Sequence, residues 1–212
     1  MNMQTRRSLA SMALAGLALV VSVDAAAQSS TEDASSRHDD FPPAPLEPDQ
    51  IVSHGIHRLS EFLSRTDVPD ADAIRVFLDR EISSDFDFAY MTKWATGSFH
   101  RRMSAEQQTA VTVHLKNTFL TALARNLGSF ATPAPDIEVF PASQGRTRNE
   151  IAVLARVTLN ESFVLPLEFR FYWSPDGWKI FDVAANGTSA VAYYRRYYTE
   201  TLRRHGPDAF IE

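Results

Sequence analysis

Asp182 is the residue whose position in this 212-residue sequence best suits catalytic chemistry. It follows the apolar segment WKIF, where strand alternation places it on the face of Trp178 and Ile180, and it precedes a turn into the last helix. A partly buried carboxylate in the mouth of a cone-shaped α+β fold can act as a general base. At a strand-to-helix junction the same carboxylate can instead accept hydrogen bonds from the backbone or an arginine. The sequence favours this structural interpretation.

Two further pairs of polar residues have spacings that suit chemistry. Asp85 and Asp87, in the segment SSDFDF, could be paired acid–base carboxylates, but acidic residues also gather where a helix starts, because they cap it and complement its dipole. His54 and His57 lie three residues apart and could share a helix face, but a metal site needs at least one more ligand. We therefore expect capping carboxylates and solvent-facing histidines.

Several kinds of active site are missing from the sequence. It contains no G-x-S-x-G elbow, P-loop, HExxH pair or dinucleotide-binding glycine pattern. The absence of cysteine removes thiol catalysis and cysteine metal sites. The sequence offers no convincing catalytic or metal-binding set of residues, so we expect no metal and no enzymatic activity. A small enzyme that uses Asp182 as its base stays open as an alternative.

The elements that must position these residues begin with helices. Apolar residues at helical spacing predict one helix from near Pro48, a second from about Asp70 and a short one over residues 86–94. A long helix starts at Ser104, where SAEQ has the pattern of a capping box. Gly128 marks the predicted end of the long helix, whose inward stripe is Leu115, Phe119, Leu123 and Leu127.

After residue 135 the period changes from helix to strand. IEVF and NEIAVLARVTL are predicted strands, and FVLPLEFRFYW alternates most sharply, with Pro166, Glu168 and Arg170 on a predicted wet face. The predicted buried face of that strand carries Phe163, Leu165, Leu167, Phe169, Phe171 and Trp173. SPDG forms a turn and WKIFDV returns as the last strand. The pattern predicts an α+β fold, not a doubly wound sheet: N-terminal helices, an antiparallel sheet of about four strands and a closing C-terminal helix.

The closing helix is rich in tyrosine and arginine. Its main stripe, at steps of three and four, consists of Val191, Tyr194, Tyr198 and Leu202. Tyr193 and Tyr197 form a neighbouring stripe. Such a face is typical either of the edge of a core or of the rim of an apolar pocket, since a tyrosine ring ends in a polar hydroxyl. A docking surface for a partner protein is a third interpretation.

The N-terminal region is predicted to lie outside the fold. Two arginines precede an apolar run over residues 9–23, and DAAAQ provides an A-x-A cleavage pattern, so residues 1–27 have the form of a signal peptide. The run, of roughly 15 residues, is shorter than the ~20 that span a bilayer, although an uncleaved anchor is an alternative. Residues 28–46 are polar, acidic and proline-rich, which predicts a disordered tether. The folded domain is predicted over 47–212.

Charge narrows the choice of partner. Loss of the signal peptide removes two of the 21 basic and one of the 26 acidic residues, which changes the formal charge from −5 to −6. A mildly acidic chain lacks the net charge of a nucleic-acid-binding protein, so we expect no nucleic-acid partner. A secreted chain without cysteine must be stabilised by its apolar core.

The segment GWKIFDVAANGTSAVAYYRRYYTETLRRHGPDAFI resembles the C-terminal signature of the MlaC family, the toluene-tolerance group of periplasmic phospholipid carriers. In that signature a tryptophan strand ends in Asp-Val, a short polar turn with glycine and a serine follow, and a helix with Tyr-Arg leads to a closing glycine. The matching positions are Trp178, Asp182, Val183, Gly187, Ser189, Tyr194, Arg195 and Gly206. Upstream, FDFAYMTKWATGSFHRRMSAEQQ and the long helix also match the layout of the family, so the resemblance covers residues 47–212.

The resemblance implies a mixed sheet and helices that enclose a deep apolar pocket for lipid tails. It implies a periplasmic carrier without a cofactor, which exchanges phospholipid between an outer-membrane lipoprotein–porin complex and an inner-membrane ABC transporter. Some relatives are tied to hopanoids, so the fold does not determine the lipid. Arginines near the mouth, such as Arg101, Arg102 or Arg195, could contact a phosphate or could be solvated surface. The candidate lipid-binding residues are Phe99, Phe119, Leu123, Val153, Val157, Leu167, Phe169, Phe171, Val191, Tyr194 and Tyr198.

Overall fold

The structure is a computed structural model that describes residues 46–65, 70–127, 136–160 and 163–211. Its helices are α1 (Pro48–Arg65), α2 (Ala71–Phe77), α3 (Phe88–Thr96), α4 (Ala105–Leu127) and α5 (Ala190–His205). Its strands are β1 (Asp136–Val139), β2 (Ser143–Gln144), β3 (Glu150–Asn160), β4 (Phe163–Ser174), β5 (Gly177–Ala185) and β6 (Thr188–Ser189). Helices first, then strands, then a closing helix confirm the α+β class. The predicted signal peptide, the tether up to residue 45 and Gly128 lie outside the described residues.

Side-chain caps explain where the helices start. Asp70 accepts a hydrogen bond from Ala73 N at 2.7 Å and caps α2, and Asp87 accepts one from Tyr90 N at 2.8 Å and caps α3. The capping box before α4 forms as predicted: Gln107 N donates to Ser104 Oγ at 3.2 Å, and Ser104 N donates to Gln107 Oε1 at 2.8 Å. Each cap satisfies a backbone N–H group that has no partner within its helix.

Irregular turns connect α2 to α3 and bring the chain against the sheet. α2 continues as a π-helical turn, Leu78–Ile82, and a 3-10 turn, Ser83–Asp85. Phe86 then forms a parallel bridge with Ile180 of β5, and Asp87 N donates to Ile180 O at 2.9 Å. The turns therefore fix Asp85 beside the sheet, an arrangement that helical periodicity alone did not predict.

The sheet has the order β1-β3-β4-β5-β6, with β2 also paired to β3, and every strand pair within the described residues is antiparallel. The antiparallel sheet thus has more strands than the four predicted. The additional strands, β2 and β6, have only two residues each, which is too short for an alternating pattern to reveal. The mixed sheet that the resemblance implied is not what the described strands form. Asn186 (φ 48°) and Gly187 (φ 75°) form the tight turn from β5 to β6, where residues that tolerate positive φ are needed.

A β-bulge at Phe181 changes which residues share a face. Arg170 pairs with Asp182 but the next residue, Phe171, pairs with Ile180, so Phe181 is the extra residue of β5. Asp182 therefore shares a face with Arg170. The prediction that it lies with Trp178 and Ile180 was wrong, because strict alternation does not hold across a bulge.

The predicted wet and buried faces of β4 also need correction at their C-terminal end. The Arg170 side chain is only 14% exposed, since it forms buried ion pairs and stacks 4.8 Å from the ring centre of Phe181. Trp173, predicted to be buried, is 56% exposed and contacts Trp178 edge-on near the end of the hairpin. Leu165, Leu167 and Phe171 are buried as predicted.

The main core lies between one face of the sheet and the helices. α1 contacts β1 and β3, α4 packs on α2 and α3, and α3 and α5 pack on each other and on β5. A smaller cluster of Ala155, Val157, Leu165 and Leu167 lies toward the C-terminal end of β3 and the N-terminal end of β4. No helix in the described ranges is apolar over enough of its length to cross a bilayer.

Candidate functional site

An apolar cavity lies between the sheet, α1, α4 and the irregular turns that follow α2. Its volume is about 90 Å³. α1 contributes five lining residues, Ile51, Val52, Gly55, Ile56 and Leu59, and a Cβ added at Gly55 would have only Ile82 Cδ1 nearby, at 3.9 Å. The other lining residues are Leu78, Ile82, Asp85, Phe86, Phe119, Leu123, Leu127, Leu167, Phe169, Ile180 and Val183. Asp85 is the charged residue among them, so the interior is suited to an apolar ligand.

Four of the eleven candidate lipid-binding residues line this cavity. Phe119 and Leu123 reach it from α4, one turn apart, and Leu167 and Phe169 reach it from alternate positions of β4. Phe119 also packs against the rings of Phe86 and Phe88. The helical and strand periodicities that selected these four residues thus meet at one place in the fold.

The other seven candidates lie outside the cavity lining. Val153 and Phe171 are fully buried on the same sheet face, and Val157 belongs to the smaller cluster. Phe99 lies in the 3-10 helix Gly97–Arg102, with the guanidinium of Arg102 at 4.9 Å from its ring centre. Val191, Tyr194 and Tyr198 are buried on α5 and pack into the main core. Contact of these seven with lipid stays a prediction.

The rim of the cavity carries a concentration of charge around Asp85. Arg58 Nη2 donates to Asp85 Oδ2 at 2.7 Å, and Arg58 Nη1 donates to the carbonyl of Glu81, so Arg58 ties α1 to the turns after α2. Lys179 Nζ donates to the carbonyl of Ser84 at 2.7 Å. Burial raises the pKa of Asp85 above its ordinary value, although neighbouring cations oppose the rise. The cations that act on Asp85 are Arg58 and Lys179, and the imidazole of His54 adds a smaller effect in the same direction.

Asp182 is held in a buried hydrogen-bond network. Its side chain is fully buried, and its oxygens accept from Arg170 Nη1 at 3.0 Å, Ser189 Oγ at 2.6 Å and Val191 N at 3.0 Å. Arg170 also donates to Glu150 at 3.0 Å. Burial alone would lower the pKa of Arg170, but the two carboxylates raise it above its ordinary value. Asp182 thus fixes the junction of β5 and α5, as the structural interpretation predicts.

The other polar candidates also have structural partners. Asp87 caps α3 and accepts a hydrogen bond from the hydroxyl of Tyr172, and burial is the main cause that raises the pKa of Tyr172. His54 and His57 are both exposed on α1, as expected. Within the described residues no three histidine, aspartate or glutamate side chains are arranged to hold a metal ion.

The tyrosines of α5 divide between core and surface. Tyr198 is fully buried and its hydroxyl lies 3.1 Å from Nδ1 of His114, while Tyr197 is 43% exposed. Burial raises the pKa of Tyr194 and Tyr198 and lowers that of His114. The arginines of the helix point outward: Arg195, Arg196, Arg203 and Arg204 are all exposed. The stripe predicted from the sequence is therefore a core stripe, and the arginines form a surface.

Sequence reasoning missed most of the α1 wall and the Asp85 rim. The apolar stripe of α1 was visible, with Ile51, Ile56 and Leu59 on one face, but periodicity does not say which surface a stripe meets. The glycine next to that stripe, Gly55, was a signal in the sequence that could have indicated the cavity wall. A helical glycine that costs stability relative to alanine often marks a place where space is needed.

The fold and the cavity together define a class: α+β proteins in which helices and an antiparallel sheet enclose an apolar cavity. The sequence profile of the family described as "MlaC protein" matches residues 58–212. This chain belongs to the MlaC family. A solved structure described as the phospholipid-binding protein from Ralstonia solanacearum, in complex with a phospholipid, has the same fold, with a TM-score of 0.62 at 20% identity over 76% of this chain and 90% of that one. No curated protein sequence matches this chain significantly.

Proposed function

We propose that this protein is a periplasmic carrier that binds phospholipid in its apolar cavity. In this role it shuttles lipid between an outer-membrane lipoprotein–porin complex and an inner-membrane ABC transporter complex, and so helps to maintain outer-membrane lipid asymmetry. The observation that carries the proposal is an apolar cavity in a chain of the MlaC family. A hopanoid or another long-chain lipid would use the same mechanism.

The energetics of lipid transfer explain why such a protein needs a cavity and no reactive group. Each buried CH₂ is worth about 0.8 kcal/mol, so two acyl chains of ordinary length cost on the order of 20 kcal/mol or more in water. A carrier has to replace the membrane interior with apolar side chains. Phe119, Leu123, Leu167 and Phe169 are the four candidates that already face the space in which this exchange would occur.

The cavity must enlarge to hold a whole lipid. Its volume is about 90 Å³, whereas pockets for drug-sized ligands measure about 300–1,000 Å³. Enlargement requires α1 or α4 to move away from the sheet. On the same sheet face, Val153 and Phe171 would then join the lining. The five remaining candidates, Phe99, Val157, Val191, Tyr194 and Tyr198, would contact lipid only if the cavity extended along the strands or toward α5.

Native mass spectrometry of protein purified from the periplasm, with organic extraction of bound material, tests the proposal. A stoichiometric phospholipid adduct supports it and identifies headgroup and chains. A bound hopanoid keeps the mechanism and changes the cargo. Protein that is well folded but empty, even after incubation with phospholipid vesicles, contradicts the carrier function.

The same experiment separates the alternatives. An enzyme with Asp182 as general base requires a carboxylate accessible to substrate, whereas the Asp182 side chain is fully buried and accepts three hydrogen bonds. An adaptor that docks through the arginine surface of α5 would bind a partner but retain no lipid. A carrier can use that surface as well, so only the lipid content distinguishes the two.

A further inference from the structure

Arg58 and Lys179 are the permanently positive groups that lie close to Asp85 at the cavity rim. Arg58 and Lys179 converge on Asp85, and His54, one helical turn before Arg58 on α1, acts on the same carboxylate. Lys179 is bonded to the neutral carbonyl of Ser84. Two permanent positive charges, those of Arg58 and Lys179, therefore act on the carboxylate that lines the cavity.

The charged groups meet the apolar lining at Asp85, which itself lines the cavity and accepts from Arg58 Nη2 at 2.7 Å. Lys179 and Ile180 are neighbours in β5 whose side chains point to opposite faces of the sheet, and the Lys179 ammonium donates at 2.7 Å to the carbonyl of Ser84, the residue before Asp85. The boundary between charge and apolar wall therefore lies at Asp85. An amphiphile whose chains fill the cavity would have its headgroup at this boundary.

Arg58 has unused capacity for an anion. Its Nη atoms donate to Asp85 and to the carbonyl of Glu81, but Nε is buried and finds no acceptor among the described residues. A guanidinium presents its donors as a planar fork that a carboxylate or a phosphate can satisfy in the same way. Asp85 is the carboxylate that now occupies one edge of the fork, although its burial disfavours its charged form.

We propose that Arg58 and Lys179 form a phosphate-recognition site at the cavity rim, and that Asp85 occupies the Arg58 guanidinium when no lipid is bound. The bound group is the phosphodiester of a membrane lipid. This inference rests on the proposed carrier function and adds to it the part of the lipid that the protein recognises. The ammonium group of a zwitterionic headgroup would point to solvent, because the rim cations repel it.

The site differs from the one that sequence alone suggested. Arg101, Arg102 and Arg195 were the arginines considered for a phosphate. None of them lines the cavity or acts on Asp85. Arg58 lies on α1, a wall of the cavity, so a phosphate that replaces Asp85 would also break the bond that ties α1 to the turns after α2. Recognition of the headgroup would thereby favour the enlarged cavity.

The test compares two lipids that differ in the phosphate. Protein purified from the periplasm is stripped of lipid and offered dioleoylphosphatidylglycerol or dioleoylglycerol, which have the same chains, and bound lipid is measured by native mass spectrometry. The wild-type protein should prefer the phospholipid by about tenfold or more. Arg58→Gln should lower that preference about tenfold, because it weakens binding of the phospholipid. An unchanged preference in Arg58→Gln overturns the proposal.

Further variants keep the test decisive if Arg58→Gln does not fold. Lys179→Gln should lower the preference several-fold, and Asp85→Asn should raise it, since the competitor for Arg58 loses its charge. The absence of either change overturns the proposal. Arg156→Gln is the matched control, because Arg156 is an exposed arginine that pairs with Glu138 away from the cavity; it should behave as wild type.

Two more outcomes distinguish failure of the phosphate site from failure of the carrier function. If the wild-type protein binds neither lipid, the carrier function itself fails. If it binds both equally, only the phosphate site fails. Glycerophosphoglycerol, the headgroup without chains, should not displace the lipid at equal concentration; displacement would assign the site to free phosphate esters and overturn the lipid assignment.

Discussion

Replacing Asp182 by Asn should destabilise the fold strongly and leave lipid binding intact in the folded fraction. The carboxylate is fully buried and neutralises Arg170, so the change leaves a buried cation with one anionic partner, Glu150, at 3.0 Å. Breaking a buried ion pair from one side costs about 3–5 kcal/mol. Because Glu150 remains, we expect a loss near the lower limit, about 3 kcal/mol.

Thermal unfolding followed by circular dichroism at neutral pH measures this loss. For a domain of this size each kcal/mol lowers Tm by about 2–4 °C, so Tm should fall by about 6–12 °C. Asp176→Asn is the matched control, since Asp176 lies in the exposed turn between β4 and β5. Its Tm should stay within about 2 °C of wild type, as is usual for exposed sites.

Comparison with Glu150→Gln sharpens the result. Glu150 contacts the same arginine but starts β3 and makes one ion pair, whereas Asp182 also holds Ser189 and the backbone of Val191. Asp182→Asn should therefore cost more than Glu150→Gln. Equal Tm values for Asp182→Asn and wild type would refute the structural role of the buried network. Loss of lipid from well-folded Asp182→Asn protein would refute the expectation that the buried network around Asp182 is independent of the lipid-binding cavity.

Four further substitutions test other parts of the structure. Gly55→Ala should stabilise α1 by about 0.5–1 kcal/mol in urea unfolding and keep lipid binding, since the added Cβ meets only Ile82 Cδ1, at 3.9 Å. Gly55→Leu should fill the cavity and lower the lipid recovered by extraction; undiminished recovery would place the lipid elsewhere. Asp87→Ala should lower the free energy of unfolding by about 1–2 kcal/mol, because it removes the cap of α3. Because the pKa of His114 is lowered in the folded protein, its contribution to the free energy of unfolding is complete above about pH 6.5. That contribution is lost as the pH falls below this value, where the unfolded chain binds the proton. Urea titrations of His114→Gln should show a flatter pH profile over this range; a profile identical to wild type would contradict that.

Local signals in the sequence were sufficient for the order of elements. Ser104 and Gln107 form the capping box that SAEQ indicates, and the alternation of β4 places Leu167 and Phe169 on the face that bounds the cavity. Each of these features depends on neighbours a few residues apart. That is the range over which capping and side-chain alternation act.

Features that depend on distant contacts were beyond such reasoning. The bulge at Phe181 reverses the face of Asp182, and no residue near it in the sequence indicates the change. Arg170 is a charged residue of the kind usually found at the surface, but it is buried because it pairs with carboxylates of β3 and β5. Arg58 and Asp85 meet only because the turns after α2 fold against the sheet. The cavity rim is made of such contacts, which is why it was not predicted.

The bridge between Phe86 and Ile180 has a consequence for the order of folding. β3, β4 and β5 are joined by hairpins of neighbours in sequence, whereas the bridge joins segments from opposite halves of the chain. Closing a long loop is slow, so the meander can form before the N-terminal helices dock on it. Until they dock, the apolar face that carries Leu167 and Phe169 is open to its surroundings. A lipid present at that stage can bind the open face and be enclosed as the helices arrive, so loading during folding needs no opening of the finished protein.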